Sequence, residues 1–223
     1  MQLKARPSYA VFGGSFNPLH EGHVGIVRAL AADAELSGVI VVPARRSPFK
    51  GAAPLLPDAV RWDMLRRALA GLPGVVLSDV ELRRPPPSYT VETLHALAAL
   101  LPHARLQFAL GWDAFADFAG WHRAAEILAL ADLLVFDRAG TLRAAPAQPA
   151  AWVRLLPPPW DARARPRDDQ RLETAEGRVL LRHLPLPLPA VAARVLLSER
   201  SLAGVPPGAR EVLADYWRRT AQA

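Results

Sequence analysis

The sequence predicts an α/β protein whose parallel sheet carries helices on its faces. Three observations lead there. Over the first two thirds of the chain, short apolar runs alternate with segments of helical period, the order of successive β-α units. Several runs end at glycine or proline, at Gly13-Gly14, Pro43 and Gly111, residue types that stop a strand and turn the chain. A chain of 223 residues, 51% of them hydrophobic, suffices for a full core without covalent staples.

Each element follows from local pattern. Tyr9–Phe12 is a short β-rich run, and Val24–Ala32 places apolar residues at helical spacing. Gly38–Val42 (GVIVV) is uninterrupted and apolar, as in a strand covered on both faces. Pro57 and Asp58 open a helix over Asp58–Leu72. Val75–Leu77 is a strand candidate, Thr90–Leu101 a helix stopped by Pro102, and Arg105–Leu110 a strand. Ala124–Leu130 is helical and Leu133–Asp137 a further strand. The segment 144–187 breaks the pattern with Pro, Ala and Arg and three prolines at 157–159. It reads as an irregular surface segment with at most a strand at Val179–Leu181, not as an interdomain linker. Residues 188–223 are expected to close the fold with helices over Val191–Leu197 and Ala209–Arg219, making 1–223 a single domain.

Composition excludes several chemistries. There is no cysteine, hence no disulfide, iron–sulfur cluster, thiolate zinc site or thiol nucleophile. The apolar run after Lys4 and Arg6 stops at Gly13, short for a secretory leader, and no apolar stretch reaches the roughly 18 residues of a membrane span. The expectation is a cytoplasmic protein without a membrane partner. The net charge is +6, from 27 basic and 21 acidic residues, and Lys4 and Lys50 are the only lysines. The abundance of Ala, Arg, Leu and Pro makes biased codon usage the plainer source of this charge. The arginine pairs (45–46, 66–67, 83–84, 218–219) are scattered and not interleaved with aromatics. That pattern argues against nucleic acid and suits a small phosphorylated ligand better.

The informative stretch is Val11-Phe12-Gly13-Gly14-Ser15-Phe16-Asn17-Pro18-Leu19-His20-Glu21-Gly22-His23. It lies at a strand-to-helix junction, where strand ends of an open parallel sheet face the ligand crevice. Glycines allow backbone N–H groups to approach an anion, and the following helix directs its positive end there. His20 and His23 share one face of a helical turn, from which two imidazoles can donate to oxygens whose charge grows in a transition state. Alone, an HxxH pair or a Gly-Gly turn is commonplace; together after the first strand they are specific. No third His or carboxylate stands nearby at metal spacing, so no protein metal site is expected.

Gly13–His23 (GGSFNPLHEGH) resembles the G-G-[ST]-F-[DN]-P-x-H-x-G-H signature of the HxGH nucleotidyltransferases. Further segments resemble one branch, the bacterial nicotinate-nucleotide adenylyltransferases. Pro43–Lys50 is similar to that branch's P-x-x-x-x-P-H-K loop, with Phe49 where His is expected, and Arg61 with Met64-Leu65 to its R-x-x-M-L helix. Glu81-Leu82-Arg83-Arg84 and Ser88–Leu94 (SYTVETL) resemble the E-x-x-R…SYTxxTL block, Gly111-Trp112-Asp113 with Trp121 the G-x-D…W segment, and Arg138 with Gly140 the R-x-G pair.

The resemblance implies a doubly wound, Rossmann-like nucleotidyltransferase fold, in agreement with the β-α reading. It implies adenylyl transfer from ATP to nicotinate mononucleotide, yielding the dinucleotide and pyrophosphate, with Mg²⁺ bound alongside ATP. By carry-over, His20 and His23 are catalytic. Gly13, Gly14, Ser15, Phe16, Gly111, Asp113, Arg138 and Arg194 belong to the ATP site. Lys50, Tyr89, Thr90 and Trp121 contact the mononucleotide, Trp121 by stacking on the pyridine ring. Glu81 and Arg84 read as a structural ion pair bracing a loop.

One departure concerns the family's I-S-S-T-x-I-R motif, whose best match is Leu188-Pro189-Ala190-Val191-Ala192-Ala193-Arg194. Both serines and the threonine are absent, so weaker ATP binding is expected. Two alternatives remain at this stage. One is another HxGH enzyme, such as a pantetheine-phosphate adenylyltransferase or a cytidylyltransferase. The other is a binding protein with a decayed ATP site.

Overall fold

The computed structural model describes residues 6–50, 56–138, 148–188 and 193–222. The chain runs through β1 (Ser8–Gly14), α1 (Glu21–Ala31), β2 (Gly38–Pro43), α2 (Asp58–Ala68), β3 (Val75–Leu77), α3 (Thr90–Leu100), β4 (Arg105–Gly111) and the short α4 (Trp112–Phe115). It continues through α5 (Ala124–Leu130), β5 (Ala131–Arg138), two single-turn helices α6 (Ala150–Val153) and α7 (Trp160–Arg163), β6 (Ala164–Pro166), β7 (Arg171–Thr174), β8 (Val179–Leu188), α8 (Ala193–Ser198) and α9 (Pro207–Ala221). Turns of 3₁₀ helix occupy Pro48–Lys50 and Phe118–Gly120. Among the described residues no helix is long and apolar enough to cross a membrane.

The strands form one sheet in the order β3-β2-β1-β4-β5-β8-β7-β6. β3 through β8 in that order are parallel, and β7 and β6 close the edge antiparallel. Alternation along each central strand sends side chains to opposite faces. Val11, Ile40, Val42, Phe108, Leu110, Leu133 and Val135 pack under α3 and α5. Ala10, Phe12, Val39, Val41, Ala109, Leu134 and Phe136 pack under α1, α2 and α9. Two cores on two faces make the sheet doubly wound, and they explain why β2 is apolar throughout and β4 is apolar from Phe108 onward. The chain winds outward from β1 to β3, then returns to β4 on the other side of β1. That reversal opens a crevice at the carboxyl ends of β1 and β4.

The segment 144–187 corrects the sequence reading. Residues 139–147 lie outside the described residues, but from 150 onward the chain forms α6, α7, three strands and part of the core. Trp152, Leu156, Leu172 and Leu180 are all buried. The strands were hidden because β6 (ARP) and β7 (RLET) are too short and polar to show a period. Prolines also interrupt β8. His183 donates its N–H to the carbonyl of Gln170 on the β7 side. Pro185 and Pro187 lie beyond Arg182, the last residue of β8 that pairs with β7. On the other side β8 meets β5 through a register shift between the pairs Phe136–Leu184 and Arg138–Leu188, and such a bulge tolerates proline.

Helix α9 lies across α2, and Gly208 sits where they meet. A Cβ there would stand 2.7 Å from the carbonyl oxygen of Arg67 and 2.9 Å from its carbon, both backbone atoms. Gly208→Ala must push the helices apart at a cost of about 1–3 kcal/mol. Calorimetry should show Tm falling by roughly 2–4 °C per kcal/mol. A Tm at or above wild type would mean that helix propensity outweighs the contact.

Candidate active site

At the β1–β4 crevice lies a cavity of about 450 Å³. Gly13, Gly14, Ser15, His23, Thr90, Gly111, Asp113 and Trp121 line it together, although the sequence spreads them over more than a hundred residues. A neighbouring chamber of about 300 Å³ shares Pro48, Phe49, Thr90 and Trp121 and adds Tyr89 and His122. Tyr89 therefore belongs to the side chamber, with its ring 4.2 Å from that of His122.

The turn after β1 differs from the simplest reading. Phe16, expected to line the phosphate turn, has its side chain buried and a φ of 44°. Its ring lies over Gly14, where a Cβ would approach within 3.1 Å. Gly14 is thus required by an aromatic ring as well as by the turn. The same Phe16 ring meets the His23 imidazole edge-on at 4.9 Å and fixes its plane. His20 caps α1 and is buried, outside the cavity lining; its ring stacks on His23 at 3.6 Å. His20 therefore reaches the crevice through His23.

A hydrogen bond sets the His23 tautomer. The backbone N–H of His20 donates to Nδ1 of His23 at 3.3 Å. A backbone amide can only donate, so Nδ1 carries the lone pair and Nε2 the proton. The ring thus presents an N–H on the side away from the His20 amide. The α1 N-terminus is partly engaged already, because Glu21 donates its N–H to the carbonyl of Gly204 at 2.8 Å.

Sequence reasoning gave Arg61 no role beyond a motif match, yet its side chain is the site's main fastener. It is fully buried. Nη1 donates to the carbonyls of Ser15 (2.8 Å) and Ala44 (2.6 Å), Nε to Leu56 (3.1 Å), and Nη2 to Arg45 (3.4 Å) and to the Asp58 carboxylate. One guanidinium thereby joins the turn after β1 to the loop after β2. A signal was present in the sequence: Arg61 falls in register with Met64, Leu65 and Leu69, on the buried stripe of α2.

The expected Glu81–Arg84 ion pair is instead a relay. Arg84 donates to the Thr93 hydroxyl at 2.6 Å, and that hydroxyl donates to the buried Glu81 carboxylate at 2.6 Å. Burial pushes the Glu81 carboxyl above the ordinary glutamate range, although hydrogen bonds from Thr93 and Ser88 and the charges of Arg84 and Arg61 pull it down. Ser88 also accepts the N–H groups of Arg45 and Arg46, so this network steadies the loop carrying Phe49. Glu81, Thr93, Phe49, Phe108 and Asp117 all line the cavity, and sequence reasoning assigned none of them to the ligand site.

Several expected site residues are not among those whose side chains are described. The side chains of Lys50, Arg138 and Arg194, as well as Gly140 and residues 189–192 of the degenerate ATP motif, lie outside the described residues. For Mg²⁺, the cavity offers the carboxylates of Asp113 and Asp117. No cluster of three metal-ligating side chains occurs among the described residues. Such a donor set fits an ion that is held mainly by nucleotide phosphates and takes one or two carboxylates from protein.

Comparison with known proteins decides the family. The cytidylyltransferase-like family profile matches residues 11–173. A probable nicotinate-nucleotide adenylyltransferase of Thermomicrobium roseum is 37% identical over 188 residues, covering 82% of this chain and 88% of that protein. The chain belongs to this family. A relative of the same description from Gloeobacter violaceus is 40% identical over 131 residues, which span 59% of this chain and 64% of that protein, under two thirds of its length. The fold is similar to that of the nicotinic acid mononucleotide adenylyltransferase of Plasmodium falciparum, with a TM-score of 0.69 at 14% identity over 94% of this chain and 96% of that one. In this family member, the departure at Phe49 and the fastening role of Arg61 frame the same crevice.

Two outcomes follow from this geometry. Arg61→Lys keeps the charge but loses the planar fork, leaving buried carbonyls unpaired. It should cost about 3–5 kcal/mol, read as a Tm lower by roughly 10 °C. A loss under 1 kcal/mol would mean that Arg61 does not fasten the loops. Glu81 binds its proton more tightly folded than unfolded, so its contribution to stability is full below the unfolded glutamate value, about pH 4.3, and declines as pH rises through the folded value. Glu81→Gln removes that decline. Urea midpoints at pH 4 and pH 7 should therefore show the variant gaining on wild type at the higher pH, and parallel curves would contradict it.

Proposed function

We propose that this chain transfers the adenylyl group of ATP to nicotinate mononucleotide, in NAD biosynthesis. A phosphate oxygen of the mononucleotide attacks the α-phosphorus of ATP; the new P–O bond forms as the α–β bond breaks and pyrophosphate leaves. No protein nucleophile is needed, which accords with a cavity whose reactive equipment is an imidazole, backbone turns and carboxylates. The single observation that carries the reading is His23, set in one tautomer by the His20 amide and held between Phe16 and His20 at the mouth of the β1 turn.

The residues divide the work. The Nε2 proton of His23 donates to phosphate oxygens, whose charge grows as the α-phosphorus is attacked. His20 holds His23 in place. Gly13, Gly14 and Ser15 provide backbone close to the triphosphate, and Gly111 and Asp113, at the end of β4, border the dinucleotide cleft. Trp121 offers a face for the pyridine ring, and Thr90 a hydroxyl near its carboxylate. Mg²⁺ bound with ATP would neutralise phosphate charge, with Asp113 and Asp117 as its protein-side oxygens. Lys50, Arg138 and Arg194 are proposed as further phosphate contacts from their place in the motifs. The partners proposed are ATP and nicotinate mononucleotide, not nucleic acid or a membrane, and the proposed location is the cytoplasm.

The test is pyrophosphate release from ATP and nicotinate mononucleotide. Wild type should turn over, and His23→Ala should lower kcat by about 10²–10³, the usual loss for one preorganised transition-state donor, without loss of fold by circular dichroism. Activity within a factor of two of wild type would remove His23 from the mechanism. Absence of turnover in wild type would overturn the function.

A further inference from the structure

Phe49 is 64% exposed, and it is one of three large hydrophobic side chains so exposed among the described residues. It departs from the histidine of the motif it otherwise matches. The 3₁₀ turn Pro48–Lys50 presents it, the Ser47 hydroxyl accepts the Phe49 N–H at 3.3 Å, and the preceding loop is tied down through Arg61 and Ser88. The ring stands over Trp121, with centroids 5.1 Å apart and planes 41° from parallel. Both rings line the main cavity and the side chamber.

Two aromatic faces so close leave no room for a third ring. A flat heterocycle between them needs two stacking contacts, about 9 Å between the outer centroids at the short end of the range. Phe49 must therefore retreat by about 4 Å before a ring can stack on Trp121. Trp121 also packs on the buried rings of Phe108 at 6.0 Å and Phe118 at 5.6 Å, whereas Phe49 is exposed, so Trp121 is the fixed wall and Phe49 the movable one. An exposed phenyl ring gains by covering apolar surface once a ligand is in place.

We propose that Phe49 is a specificity-determining residue of the mononucleotide site. It lifts from Trp121 to admit the pyridine ring and then covers that ring's free face. The aromatic pair recognises the flat heterocycle, and the phosphate and ribose are left to other residues. This inference rests on the reaction proposed above.

The experiment titrates wild type, Phe49→Ala, Phe49→Leu and Phe49→Tyr with nicotinate mononucleotide and with ribose 5-phosphate, which lacks the ring, alongside steady-state kinetics. Phe49→Ala should weaken the mononucleotide about tenfold in both Kd and KM, leave ribose 5-phosphate unchanged, and keep kcat within about threefold. Phe49→Tyr should restore affinity to within twofold, and Phe49→Leu, apolar but without a π face, only in part. Equal or tighter mononucleotide binding by Phe49→Ala would overturn the proposal and make Phe49 a plug. Equal weakening of both ligands would also overturn it, assigning Phe49 to the shape of the loop. Wild type that turns over beside an indifferent Phe49→Ala sinks this inference alone; wild type that neither binds the mononucleotide nor turns over sinks the reaction assignment and this proposal together.

Discussion

Arg61 is a buried cation ringed by carbonyl oxygens, and the geometry of the crevice depends on it. The turn after β1 and the loop after β2 leave adjacent strands with carbonyls that no ladder can satisfy. A guanidinium brings five donors in a rigid plane, enough to serve Ser15, Ala44, Arg45 and Leu56 and still meet Asp58. Desolvating that charge is expensive, and only this near-complete satisfaction makes it tolerable. From this anchor the two halves of the site diverge. One side leads through Phe16 to His23, the other through Ser88 and the Glu81 relay to the loop bearing Phe49.

The histidine pair shows how sequence spacing becomes chemistry. Three residues apart at a helix start, the two side chains stack instead of both facing the crevice. The first contributes its backbone amide and a ring face; the second contributes the donor. The asymmetry comes from the helix cap: the His20 amide has no helical partner, and His23 Nδ1 supplies one. One hydrogen bond thus closes the end of a helix and chooses which imidazole nitrogen carries the proton.

Much of this was legible in the sequence. GVIVV and the run before Gly111 announced strands covered on both faces, and GGSFNPLHEGH located the crevice at the end of β1. What escaped were features in which neighbours override local preference. The place of Arg61 on the apolar stripe of α2 hints at burial, but a charge on such a stripe gives no hint of the carbonyls that partner it. The relay through Thr93 was missed because a hydroxyl between two charges leaves no spacing signal. Only the start of β8, Val179–Leu181, was read, because Pro185 and Pro187 break the run beyond it and their tolerance depends on an irregularity in the pairing with β5. The burial of the Phe16 ring over Gly14 was not legible because a motif position does not say whether a side chain faces ligand or core.

The Glu21–Gly204 hydrogen bond has a consequence for how the protein is made. Synthesis proceeds from the N-terminal side, so β1 with its histidine turn emerges before α9. The first amide of α1 then waits for a carbonyl nearly two hundred positions downstream. Val205, Ala209 and Leu213 fill the same apolar cluster as Val24 and Val27. Until that stretch has left the ribosome, the signature helix lacks both a partner for its leading N–H and part of its hydrophobic cover. The crevice at the end of β1 therefore matures only after that later stretch, and a partly made chain holds the motif without its finished surroundings.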